Sequence, residues 1–123
     1  MTAESPGSAF GSTRSTRLPL LILGFVSLFV GTGAGLARLG VGVPSSIAST
    51  AALHGPLMLC GFFGVVIPLE RAVALGCGWA YAAPFLAGMG GVAAIGGEAF
   101  AAAWLFVAAS LVFVAASVEV VRR

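Results

Sequence analysis

Ile47–Arg71 reads IASTAALHGPLMLCGFFGVVIPLER and carries no charge before its last two residues. Wound into a helix, an apolar run of about 20 residues matches the hydrocarbon thickness of a bilayer. Three further runs of this kind lie at 18–36, 79–95 and 99–118, again without a charged residue. With 47–69 they make four expected spans. Backbone amides and carbonyls find no water in hydrocarbon and must be satisfied within the chain. The period-two alternation of a barrel strand is missing, so helices are the remaining solution. The expected fold class is all-α: a polytopic integral membrane protein with four antiparallel transmembrane helices within 18–121. A small, polar tail over 1–17, without periodicity, is expected to be disordered.

Composition points the same way. Of 123 residues, 59% are hydrophobic and 8% charged, whereas a soluble domain is about 25% charged. The charges are six Arg and four Glu, for a net of +2, and the chain has no Lys, Asp, Asn or Gln. That is too little basic surface to bind nucleic acid by counterion release. There is no P-loop, no GxGxxG and no nucleophile–base pair, so the chain is not expected to be an enzyme on its own. Its first partner is the lipid bilayer. The run after Arg17 is too long for the core of a cleaved secretory signal and is read as a span.

Arginine placement sets the expected orientation, because short loops rich in Lys and Arg stay in the cytoplasm. Arg14, Arg17, Arg71, Arg122 and Arg123 fall on one side and Arg38 on the other. Both termini are therefore expected in the cytoplasm of a bacterium, with the protein in the cytoplasmic (inner) membrane. Trp79 and Tyr81 suit the aromatic belt at the inner interface. Glu70 and Arg71, adjacent in sequence, mark the same interface. Arg71 is read as a headgroup anchor and Glu70 as a partner for Arg122 or Arg123.

Lipid supplies no hydrophobic drive between helices, so small residues that let backbones approach are the packing signal. In the first span these are Gly31 and Gly35, a GxxxG, with Gly24 one heptad earlier. The fourth span repeats every seven residues: AAAWLFV, AASLVFV, AASVEVV. Its alanines form one ridge at 101, 108 and 115 and another at Ala102, Ala109 and Ala116. Gly88, Gly90 and Gly91 make the third span a weak helix in isolation and so a buried one. Cys60 and Cys77 lack any CxxC-type spacing and read as small apolar residues.

The second span holds the one strongly polar side chain at depth. On a helix, His54, Met58, Gly61 and Val65 share one face: an imidazole, a thioether one turn below, then a strip without side chains. Such a strip admits the edge of a flat cofactor or a second backbone. His54 lies about 10 Å inside the run, at about 1.5 Å per residue. An ionisable group at that depth is a functional hypothesis by default. Two readings stand side by side. A neutral imidazole can ligate haem iron or copper through one nitrogen while a backbone carbonyl, or the hydroxyl of Ser49 or Thr50, orients the other. Alternatively the ring bonds between helices or reaches interfacial water. The expected cofactor-binding set is His54, Met58 and Gly61, with His54 as the metal ligand. Pro56 removes an amide donor and should kink or open this turn.

The string HGPLMLCGFFGVVIPLERAVALG, within residues 50–76, resembles a motif of bacterial multi-spanning membrane proteins of unassigned function. More loosely it is similar to the His-bearing helices of haem- and copper-containing NnrS-type proteins and of haem-copper oxidase subunit I. The resemblance implies His54 as a metal or haem ligand, with the glycines beside it allowing close packing. Those families have more spans and several intramembrane histidines, whereas this chain has one His. A site of that kind would need a second copy, as in a bis-His haem across a symmetric dimer, or a larger membrane complex. Copper held by His54 and Met58 would likewise need further ligands. Two function classes follow: a small haem or copper protein for electron transfer or sensing, and a non-catalytic subunit or scaffold acting by helix packing. A small transporter is a third, resembling small multidrug exporters in length but lacking an acidic residue in the first span.

Overall fold

The computed structural model describes residues 6–123, with side chains from Ser15 onward. Four helices are long and apolar enough to cross a membrane: Ser15–Arg38, within a helix that runs Pro6–Arg38, then Ala51–Leu75, Gly78–Ile95 and Ala99–Arg122. No strand occurs among the described residues. The protein is an all-helical polytopic membrane protein.

Two boundaries differ from expectation. The first helix starts at Pro6 rather than after Arg17, because a helix nucleated by the span extends at little further cost. The part of the expected tail in residues 1–5 lies outside the described residues. The second span starts at Ala51 rather than Ile47. Ser45–Ala48 forms a separate turn of helix behind Pro44, and this turn folds back over the first helix. A Cβ added at Gly33 would come within 2.6 Å of Ile47 Cγ2.

The second span is not uniform. Ala51–Leu53 is a tight 3-10 turn, His54–Pro56 is α-helical, Leu57–Phe63 is π-helical, and Gly64–Leu75 returns to α. Its two prolines account for part of this. Pro56 gives no N–H to the carbonyl of Ala52, and Pro68 gives none to that of Gly64, so the ladder is interrupted on both sides of the π segment. The expected opening of the turn at Pro56 is present. The span ends at Gly76, whose φ of +65° lets the chain reverse while its N–H bonds Ala72 O at 3.0 Å.

The second and third helices each pack against all the others, while the first and fourth meet each other little. The core forms three layers along the membrane normal, and each receives one alanine of the fourth helix. Ala102 packs with Leu57 and Ala94, Ala109 with Leu20, Val65, Leu69 and Ala87, and Ala116 with Ala72, Leu75 and Ala80. These three are the buried residues of that helix, at 4%, 5% and 2% exposure. The parallel ridge of Ala101, Ala108 and Ala115 is half-buried or exposed. The heptad therefore serves as an internal groove, lined by methyl groups that let the neighbouring helices close in. The third helix is central: Gly88, Gly90 and Gly91 are all buried, and added Cβ atoms there would strike Leu23, Phe106 and Ser27 respectively.

Candidate functional site

The face His54–Met58–Gly61–Val65 exists as a face, and the first helix covers it. Gly35, Gly31, Ser27 and Gly24 meet it position for position in antiparallel sense. A Cβ at Gly35 would lie 2.8 Å from His54 Cε1, one at Gly31 3.0 Å from Met58 Sδ, and one at Gly24 3.2 Å from Val65 Cγ1. Between them, a Cβ at Gly61 would lie 2.6 Å from Ser27 Oγ. The GxxxG of the first span is thus spent inside the chain, as a seat for the imidazole and the thioether.

This seating corrects the expectation for Gly61. It is buried against Ser27, which is 1% exposed, and against the backbone at Gly91. No flat cofactor edge can enter there. Of the two occupants such a strip admits, a second backbone takes it, because small residues on three helices let main chains approach more closely than any side chain would permit.

His54 remains partly buried, and its Nδ1 lies 2.7 Å from the main-chain oxygen of Gly31. A carbonyl only accepts, so Nδ1 is the donor in this bond, and Nε2 is the ring nitrogen that this bond leaves uncommitted. The expected hydroxyl partners do not contribute. Ser49 Oγ donates to Ser46 O at 2.8 Å and Thr50 Oγ1 to Ile47 O at 2.7 Å. Both sit where the chain has left the helical line of the span, so they turn inward on their own loop.

Beside the ring opens a groove of about 440 Å³, lined by Thr32, Gly35, Leu36, Arg38, Leu39, His54 and Met58. His54 and Met58 are therefore brought together as expected, without Gly61. No three His, Cys, Asp or Glu side chains converge anywhere among the described residues. The donor set at the groove is one imidazole nitrogen and one thioether. That set fits an axial ligand to haem or two soft ligands to copper, and does not fit a closed metal site built by one chain. Pro56 signalled an opened turn here, but not that it would take the form of a seven-residue π segment, Leu57–Phe63, just below the histidine. Such segments recur at functional sites.

At the other end, Glu70 and Arg71 are both exposed. The expected pairing of Glu70 with the fourth helix is not formed. Arg123 instead meets Glu119 at 3.4 Å, reaches Leu75 O, and donates to Cys77 Sγ. The reason is helical spacing: Glu119 and Arg123 are one turn apart on the same helix. Both cysteines are free thiols.

These features define a four-span, all-helical membrane protein with one histidine locked between its first two helices. Residues 17–123 match the family described as "Domain of unknown function (DUF8744)", and the chain belongs to that family. Comparison with curated proteins and with solved structures gives no match.

Proposed function

We propose that this protein is a small multi-pass subunit of the bacterial cytoplasmic membrane that binds haem or copper through His54 Nε2, for electron transfer or sensing. The observation that carries the reading is the 2.7 Å contact of Nδ1 with Gly31 O. A ligating histidine characteristically donates its other N–H to a carbonyl or carboxylate, which fixes the tautomer and the ring plane. The open groove that His54 and Met58 both line supplies room beside the ring. A second copy or a larger complex completes the coordination. The cytoplasmic placement of both termini rests on five of six arginines lying at one end.

The alternative, a non-catalytic scaffold that acts by packing, drew its motive from the glycine and alanine ridges. The glycines and the ridge of Ala102, Ala109 and Ala116 are occupied within the chain, which leaves only the ridge of Ala101, Ala108 and Ala115 for a partner. The deciding experiment is an absorption spectrum and metal analysis of protein purified in mild detergent. A haem band or stoichiometric copper is expected, lost in His54→Ala; Met58→Ala should weaken copper and leave haem. Assembled wild-type protein carrying neither sinks the proposal, as does full retention in His54→Ala.

A further inference from the structure

The groove beside His54 has one cation in its lining, Arg38. This arginine is the last residue of the first span and stands three residues beyond Gly35, the seat of the imidazole. At that spacing the two lie on the same side of the helix. Arg38 is exposed, and among the described residues it enters no ion pair. Glu98, the acidic residue among those described at this end of the bundle, does not pair with it. Thr32, also in the lining, is already committed, since its Oγ1 donates to Leu28 O at 2.7 Å. The groove therefore offers a ligand the imidazole, walls of leucine, glycine and methionine, and at the end of the span a guanidinium that stays charged.

The two cofactors compatible with His54 differ in sign. Copper is a cation, so Arg38 opposes its binding by like-charge repulsion. A single ion would also leave most of about 440 Å³ unfilled. Haem is flat and apolar across its ring and carries propionate carboxylates along one edge. The groove volume falls in the range of small-molecule and cofactor clefts, about 300–1,000 Å³. A guanidinium fork matches a carboxylate, and its place at the end of the span lets the carboxylates remain at the interface while the ring lies between apolar walls. We infer that the groove takes haem in preference to copper, with Arg38 binding a propionate; this rests on the proposed ligation by His54. Arg38 is then the residue that selects the cofactor, and His54 the one that holds its iron.

The test is titration of the full chain in mild-detergent micelles with haemin, with haemin dimethyl ester, whose carboxylates are blocked, with iron-free protoporphyrin and its dimethyl ester, and with copper(I). Wild type should bind haemin about fivefold more tightly than its ester, the upper value for an exposed ion pair. Arg38→Gln should remove that preference and Arg38→Lys keep part of it. Arg71→Gln, which removes an equal charge at the opposite end of the bundle, should leave it unchanged. Protoporphyrin holds no iron for an imidazole to ligate, so His54→Ala should preserve the preference for the free acid over the ester, and Arg38→Gln should abolish it. Helicity by circular dichroism confirms that each variant is folded. The inference is overturned, with ligation by His54 left standing, if wild type binds acid and ester equally, if Arg38→Gln keeps the preference, if Arg71→Gln loses it, or if copper is bound in preference to haemin. Haemin bound as tightly by His54→Ala as by wild type defeats the ligation itself, and the inference with it.

Discussion

The seat of His54 makes a prediction whose sign depends on the background. In the wild type, Gly35→Ala places a methyl 2.8 Å from His54 Cε1 and 2.9 Å from Nδ1. The ring must swing away and lose Gly31 O. Overpacking costs about 1–3 kcal/mol and an interhelical hydrogen bond in a membrane contributes about 0.6 kcal/mol. Against this, Ala is a better helix former than Gly by about 1 kcal/mol. The variant should be destabilised by about 0.5–2.5 kcal/mol. In a His54→Ala background there is no ring to meet, and the same substitution should stabilise by up to about 1 kcal/mol. Gly31→Ala serves as a contrast. Its methyl meets chiefly the flexible end of Met58, with Sδ at 3.0 Å and Leu57 Cβ at 3.2 Å, so a shift of a few tenths of an ångström leaves it close to neutral. The assay is reversible unfolding in mixed SDS micelles, followed by far-ultraviolet circular dichroism and by the fluorescence of Trp79 and Trp104. If Gly35→Ala has the same sign in both backgrounds, the imidazole is not seated against Gly35 and the reasoning fails.

Ala109→Leu should cost about 1–3 kcal/mol in the same assay, because Ala109 fills the central layer with Leu20, Val65, Leu69 and Ala87. Ala101→Leu, on the exposed ridge, should stay within about 0.5 kcal/mol of wild type; equal effects would refute the assignment of the ridges. Gly76→Ala should destabilise by about 1 kcal/mol or more because an L side chain is strained at a φ of +65°, and Gly76→Asn should recover part of it. Cys77, in the short link between Leu75 and Gly78, should react with a membrane-impermeant maleimide in inverted vesicles, whereas labelling in intact cells would reverse the proposed orientation.

The spans and the shared face of His54, Met58, Gly61 and Val65 were legible because apolar length and helical repeat survive local irregularity. The wide turns at Leu57–Phe63 fall within that face, yet all four of its residues still meet the first helix. What covered that face was not legible. Glycine seats for a cofactor and for a helix look alike in sequence, and lipid removes the hydrophobic sign that marks a contact in water. The alanine heptads were visible, but which of two equivalent ridges turns inward depends on neighbours that periodicity does not name. The partner of His54 was hidden for a simpler reason: a main-chain acceptor has no residue type. Glu70 went the other way, since opposite charges at one membrane face suggested a pair that helix geometry gave to Glu119 and Arg123 instead.

The oxygen that holds the imidazole belongs to the peptide unit of Gly31, and this has a genetic consequence. No codon change at position 31 deletes it. A saturation scan will therefore register positions 31 and 35 as intolerant of bulk and will give no hint that either is coupled to a histidine on another helix. Only an atom-level edit, an ester in place of the amide that joins Gly31 to Thr32, weakens that acceptor while leaving every side chain in place.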